Sequence, residues 1–382
     1  MVQFPSFMKI AILSTFYPYR GGIAQFNAAL YRELEKHHNV KAFTFTRQYP
    51  NVLFPGKSQM VTDTDESDKI DAARVLDTIN PLTYYLTAKK IQQFQPDLLI
   101  FKYWMTFFAP SFGSVAYLLK NKCKIISILD NVIPHEKRFG DRALTKFFIN
   151  QNHGFITMSE SVLNDLNQFT DNKNKVFIPH PIYNIFGNKV PKADAINHLN
   201  LNPIDKHILF FGFIRRYKGL DLLLEAMADE RIRQMNIKLI IAGECYEDWS
   251  YYNDLINKNN LQSNIILKTD YIPSEEIKYY FSAADIVVQP YRTATQSGVT
   301  QIAYNFERPM LVTDVGGLAE IVPDKKVGYV VPVDSKSIAD ALIDFYSNNR
   351  EHDFSMNASI EKKRFEWDTF TQGIEDLYRK IS

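Results

Sequence analysis

The residues best suited to chemistry lie in LFFGFIRRYKGLDLLLEA, residues 209–226. An apolar strand over 208–211 ends at Gly212, a turn carrying Arg215, Arg216 and Lys218 follows, and a helix opens near Gly219. Three cations in one turn, beside free N–H groups and the positive end of a helix dipole, suit a ligand with two linked phosphates. Arginine adds a fork of donors that can grip two phosphate oxygens at once. The plainer reading is a solvated basic turn. Its place at the C-terminal end of an apolar strand favours a ligand, because open α/β sheets bind ligands there.

Three other stretches carry similar potential. DNVIPHEKR follows a strand over 124–129 and puts Asp130, Asn131, His135 and Glu136 just past its C-terminal end, where they serve catalysis or only tie the loop together. In YRTATQSGVTQIAYN, Gln296, Ser297 and Gly298 precede a short helix over about 299–305, whose N–H groups are open to an anion. Gly21 and Gly22, in FYPYRGG, lie between a first strand at 9–14 and a helix at 23–35. The third glycine of a dinucleotide fingerprint is missing. The pair therefore marks either a close approach of backbone to a phosphate or sugar, or a tight turn that needs positive φ.

Alternating strands and helices must position these groups. The first half offers further strands at 40–46, 97–102, 154–158 and 176–178, with helices at 81–94, at 142–150 and after the capping Ser159. Residues 47–80 show no clear period, and their acidic run TDTDESDKID reads as a solvated face. The Pro- and Asn-rich residues 179–205 are expected to form the interdomain linker. The second half gives strands at 238–242, 265–268, 286–289 and 310–313, helices at 274–283 and 334–347, and an amphipathic tail helix at 367–381. The pattern predicts an α/β protein with two Rossmann-like, doubly wound parallel-sheet domains facing a cleft.

Composition agrees with two domains. The 382 residues are too many for one ordinary core, and 46% hydrophobic and 14% aromatic content can fill two. With 44 basic against 43 acidic residues the net charge is +1, which excludes a nucleic-acid binder steered by bulk charge. Cys123 and Cys245 are far apart in strand-like surroundings, excluding a disulfide framework and fitting a reducing cytosol. The opening MVQFPSFMKIAILSTFYP lacks the basic-then-apolar order of a signal peptide. The longest uncharged run, 103–119, is broken by Pro110 and Gly113 and falls short of the ~20 apolar residues that cross a bilayer. Lys146, Phe147 and Phe148 on the 142–150 helix either touch a membrane surface or join the core.

FFGFIRRYKGLDLLLEA, IIAGE, YIPSEEIKYYFSAADIVVQPY, SGVTQIAYNFERPMLVTDVGGLAEIV and VGYVVPVD, in this order, resemble the C-terminal domain of the GT-B glycosyltransferases of family 4. The GG loop, DNVIPHE, TMSESV and IPHPIY are similar to that family's first domain, so the resemblance covers nearly the whole chain. It implies an acceptor-binding domain over 1–182, a nucleotide-sugar-binding domain over 183–362, and a helix within 363–382 that crosses back to the first. The implied activity is retaining, metal-independent transfer of a sugar from a UDP- or GDP-sugar to a glycan or lipid-linked acceptor. Arginine and lysine would neutralise the leaving diphosphate in place of a DXD-type metal site. No other cofactor and no nucleic acid is implied.

Carried over position by position, Lys218 matches the family's diphosphate lysine. Phe213 stands where the matching arginine usually follows the glycine, so Arg215 takes the catalytic role and Arg216 a donor-binding one. The family's paired glutamates fall on Ala294 and Ile302, neither acidic, and the replacement contacts go to Gln296, Ser297 and the N–H groups of Gly298, Val299 and Thr300. Gly21, Gly22, Gly243, Glu244 and Ile272 complete the donor-binding set. Asp130 aligns near the family's first-domain histidine and His135 lies five residues on; both are named as catalytic. The resemblance thus implies a cytoplasmic enzyme of surface polysaccharide or glycolipid assembly, with peripheral contact at the inner membrane face left open. The rivals are a catalytically weak nucleotide-sugar-binding partner, given the missing glutamates, and a nucleotide-sugar epimerase of the same architecture.

Overall fold

Strands that are apolar on both faces need cover on both faces, and such strands dominate this chain. The computed structural model describes residues 7–50, 59–61, 68–133, 140–182, 185–294 and 297–382. The chain divides into two units, Met1–Pro179 with Trp367–Ser382, and His180–Glu366.

In the first unit, β1 (Lys9–Leu13), β2 (Asn39–Arg47), β3 (Ala73–Asp77), β4 (Leu98–Tyr103), β5 (Lys124–Leu129), β6 (Gly154–Thr157) and β7 (Lys175–Phe177) form one sheet in the order β3-β2-β1-β4-β5-β6-β7. Every pairing is parallel. Its helices are α1 (Gly22–Glu35), α2 (Pro81–Phe94), α3 (Ala109–Leu119), α4 (Asp141–Ile149) and α5 (Glu160–Asn167). Side chains alternate across the strands. Ala11, Leu13, Leu99 and Phe101 meet Ile91, Phe112 and Phe148 on one face, while Ile10, Ile12, Leu98 and Ile100 meet Phe26 and Leu30 on the other.

The second unit repeats the plan. There β8 (Lys206–Phe211), β9 (Ile237–Ala242), β10 (Ile265–Lys268), β11 (Ile286–Gln289), β12 (Met310–Thr313) and β13 (Gly328–Val331) form a parallel sheet in the order β10-β9-β8-β11-β12-β13. Around it lie α6 (Lys192–His198), α7 (Leu220–Met227), α8 (Glu230–Arg233), α9 (Ser250–Lys258), α10 (Ser274–Ala283), α11 (Gly298–Asn305), α12 (Leu318–Ile321), α13 (Ser335–Ser347) and α14 (Glu351–Glu361). The last helix, α15 (Trp367–Ile381), belongs to the first unit, where Trp367, Phe370, Ile374 and Leu377 join the core around Phe26.

Two sequence readings are corrected here. The aperiodic stretch 47–80 contains β3, an edge strand whose first three residues are not fully buried and whose register against β2 shifts, so no alternation shows. The expected linker contains α6, whose Ala195 and Ile196 pack beside Ala283 of α10, so it is part of the second unit.

In each sheet the strand order reverses direction at one place, between β1 and β4 and between β8 and β11. Loops leaving the C-terminal ends of these strands diverge and open a crevice, the usual ligand position in such sheets.

Candidate functional site

In the second unit the site is built where β8 and β9 end. Gly212 follows β8 with φ +97, and Gly243 follows β9 with φ +137. A Cβ on Gly243 would lie 2.3 Å from the carbonyl oxygen of Gly212, so the two backbones touch only because a side chain is missing. Gly219 adopts φ +65, and a Cβ there would lie 2.0 Å from the carbonyl oxygen of Pro290. The turn bearing the cations is thereby pressed against the end of the strand β11.

Lys218 and Val299 converge on Gly212. The position of a Cβ on that glycine would be 3.2 Å from Lys218 Nζ and 3.6 Å from Val299 Cγ2. The Lys218 ammonium lies 5.3 Å from the centroid of the Tyr291 ring and meets no carboxylate among the described residues. Burial draws its pKa below the ordinary lysine value; the charge of Arg215 acts the same way, against an opposing pull from Tyr217. A half-buried cation without an anion is costly to the free protein and ready for an anionic ligand.

The two arginines part company. Arg215 lies over the ring of Tyr246 at 5.2 Å, on the side of Glu244, whose carboxylate accepts from the Tyr246 hydroxyl at 2.9 Å. Arg216 lies over Tyr251 at 3.8 Å, and Tyr251 in turn donates to Asp221, which also pairs with Arg292 at 2.8 Å. Arg215 therefore shares the field of Lys218, whereas Arg216 is held against Tyr251. Phe213, exposed, packs edge-on against Tyr246 with centroids 4.9 Å apart.

At the start of α11, Ser297 is buried. Its hydroxyl donates to Gln289 Oε1 at 2.6 Å and accepts from the Val299 N–H at 3.2 Å. Thr300 donates its hydroxyl to the Ser297 carbonyl. These two side chains and the Val299 N–H are thus engaged within the protein, and Gly298 is the exposed member of the group. Ile302 is buried and Ala294 packs against the same core, as does Ile272 beyond β10, so apolar contacts occupy both positions at which the resemblance expects glutamates. Gln296 and His135 lie outside the described residues.

In the first unit Gly21, with φ +108, precedes α1, and Gly22 is its first residue. A Cβ on Gly21 would meet nothing within 4 Å, so the glycine serves the backbone conformation and leaves open space in front of the helix. Asn27 ties the same helix to the loop leaving β1, donating to Ser14 Oγ and the Thr15 carbonyl, each at 2.9 Å.

The residue that sequence reading missed is Lys102. Alternation along β4 turns it to the same face as Leu98 and Ile100, where its ammonium lies 2.5 Å from Asp130 Oδ1 and 3.9 Å from the centroid of Phe26. The lysine side chain is 2% exposed and that of Asp130 21%, so the carboxylate reaches the surface at the C-terminal end of β5 while its partner does not. The only sign in the sequence was a lysine inside the otherwise apolar LLIFKY.

Residues 205–348 match the family model described as glycosyl transferases group 1. The chain is 25% identical over 384 aligned residues to an uncharacterised glycosyltransferase of Methanocaldococcus jannaschii, covering 98% of this chain and 99% of the relative. It is 24% identical to the lipopolysaccharide 1,2-N-acetylglucosaminetransferase of Salmonella typhimurium over 49% of this chain and 51% of that protein. Among solved structures, the sucrose-phosphate synthase of Thermosynechococcus elongatus superposes with a TM-score of 0.71 at 19% identity, covering 97% of this chain and 98% of the other. HepE of Anabaena, solved in complex with UDP, gives 0.68 at 15% identity, covering 97% and 99%. Both are likenesses of fold.

Proposed function

We propose that this chain, a glycosyltransferase of GT-B fold, moves a sugar with retention of configuration from a nucleoside-diphosphate sugar to a glycan or lipid-linked hydroxyl, after the manner of family 4. The observation that carries this is Lys218, a partly buried ammonium without a carboxylate partner among the described residues, held where two glycine backbones meet at the end of β8. A diphosphate there completes the lysine's electrostatics, with Arg215 as second cation and the start of α11 as a further source of positive potential.

In this reading the bond from the anomeric carbon to the diphosphate oxygen breaks, with its electron pair leaving on the diphosphate. Lys218 and Arg215 stabilise that charge as it develops. The acceptor oxygen bonds to the anomeric carbon on the same face, and its proton passes to a β-phosphate oxygen. Asp130 of the first unit, fixed by Lys102, accepts a hydrogen bond from a sugar or acceptor hydroxyl. Gly243, Glu244 and Ile272 line the donor on the side of β9 and β10. HepE was solved with UDP, which makes UDP the first nucleotide to try. The reading includes a cytoplasmic place of action in surface polysaccharide or glycolipid assembly.

Calorimetric titration with UDP, GDP and ADP tests it. One nucleotide binding the wild type and losing affinity in Lys218→Ala supports it. Unchanged binding in that variant removes Lys218 from the reaction, and binding of none of the three overturns the nucleotide-sugar reading.

A further inference from the structure

The helices covering one face of the first sheet leave an apolar surface that neither the core nor the proposed reaction uses. On α2 the inward stripe is Tyr84, Thr87, Ala88 and Ile91, which closes over the sheet. Its outward stripe is not polar, as the free side of a helix ordinarily is. Leu82 is 76% exposed, Tyr85 60% and Leu86 58%, and the neighbouring α3 adds Tyr117 at 59% with Leu118, both outward. Next to α3, Leu144 and Phe147 of α4 are also exposed.

The surface has a built centre. Between the three helices lies a groove of about 380 Å³ lined by Tyr85, Ser114, Tyr117, Leu118 and Phe147. Gly113 of α3 is what lets Phe147 lie there, because a Cβ on that residue would be 2.5 Å from the phenyl ring. The core beneath is already filled by Tyr84, Phe112 and Phe148, so the outward residues are surplus to it. Phe148, one of three residues in which the sequence suggested membrane contact, is buried.

The rim is cationic. Lys89 and Lys90 follow Tyr85 and Leu86 by four residues each and so share their side of α2, and both are exposed. Lys120 holds its ammonium 5.0 Å from the Tyr117 ring, and Lys146 is exposed beside Phe147. Neither α2 nor α3 contains an acidic residue, and α4 has one, Asp141, at its first position.

We infer that this face docks on an anionic lipid bilayer. Leucines and aromatics enter the boundary between headgroups and acyl chains, and the lysines meet the negative surface. A second copy of the chain fits the face poorly, since a two-fold contact brings the lysine rims of both copies together. None of the residues involved takes part in donor binding, so the inference stands apart from the reaction proposed above.

Flotation of the full chain with vesicles tests it, using phosphatidylcholine alone and phosphatidylcholine mixed with phosphatidylglycerol. The chain is expected to float with the mixed vesicles, less with phosphatidylcholine alone, and less as salt is raised. Lys89→Gln and Lys90→Gln should each lower the partition coefficient about fivefold, and Leu82→Gln with Leu86→Gln should abolish flotation. These are surface positions, and an unchanged thermal melt verifies folding. No flotation with mixed vesicles overturns the inference, as does equal flotation of the variants. So does a dimer, in light scattering of the free chain, that Leu86→Gln dissolves.

Discussion

Asp130 holds the ammonium of Lys102 at 2.5 Å, and the two residues come from the C-terminal ends of adjacent strands, β5 and β4. The lysine is the deeper of the two and has no other carboxylate among the described residues. Its remaining neighbours are the Phe26 ring and the sulfur of Met158 at 3.7 Å. Breaking such a pair from the exposed side is the costly direction, because the buried charge stays behind. Asp130→Asn should therefore destabilise the protein by about 3–5 kcal/mol, Lys102→Met by less, and the double variant should recover part of the loss. Denaturant unfolding of the four proteins measures the coupling.

The same lysine has a pH signature. Burial draws its pKa below the ordinary value of 10.5, with Asp130 opposing the shift. The unfolded chain then holds this proton at a pH where the folded chain has released it. Stability from this group accordingly rises with pH between the folded pKa and 10.5. Subtracting the stability of Lys102→Met from that of the wild type at each pH isolates the contribution. The difference should shift in favour of the wild type toward alkaline pH; a flat difference contradicts the sign.

The turn after β8 separates binding from stability. Lys218→Met removes a half-buried cation that lacks an anion, so the free protein should melt at the same temperature or higher, while nucleotide affinity falls ten- to a hundredfold, the range of a lost charge-assisted hydrogen bond, about 1.5–3 kcal/mol. Arg215→Ala should behave similarly but more weakly. Arg216→Ala should leave affinity within about twofold, because that guanidinium is already stacked on Tyr251. Equal losses at the two arginines would contradict the division.

How much of this was legible in the sequence depended on how local each cause is. Strands covered on both faces, such as Lys124–Leu129 and Ile286–Gln289, announce themselves as largely apolar runs without alternation, and α15 shows its buried stripe in its own spacing. β3 and α6 did not, since an edge strand shows no clean alternation and a seven-residue helix buries only Ala195 and Ile196. Within the site, the glycines and cations of the turn were legible because turn chemistry is local. The burial of Lys102 depends on Phe26 and on Asp130, 28 residues away. The split between Arg215 and Arg216 depends on Tyr246 in a later loop and on Tyr251 of α9. No spacing rule reaches those partners.

Glycine positions in the site differ in what they require, and substitution should reveal it. Gly219→Ala places a methyl 2.0 Å from a carbonyl oxygen and forces an L residue into positive φ, so a loss of at least about 2 kcal/mol is expected. Gly243→Ala should cost a similar amount, with a Cβ 2.3 Å from the Gly212 carbonyl oxygen. Gly21→Ala meets open space and bears only the backbone penalty, about 1–2 kcal/mol. Thermal melts in the absence of nucleotide should rank Gly21→Ala as the mildest of the three.

The C-terminal helix makes the first unit depend on the end of the chain. Trp367 and Phe370 place their rings 5.3 and 5.7 Å from that of Phe26, the residue that also covers Lys102, and Leu377 lies over Gly154 on β6. A chain ending at Glu366 would remove four large apolar side chains from this cluster, each worth about 1.5–3 kcal/mol when buried. It would also leave the Phe26 side of Lys102 open to water. Such a loss is of the order of a whole domain's stability, about 5–15 kcal/mol. Truncation should unfold the first unit while the core of the second, which contains none of these residues, keeps its own transition. Two calorimetric transitions in the full chain, of which the truncated chain retains one, is the expected result, and an intact first transition would show that α15 is dispensable to the sheet it covers.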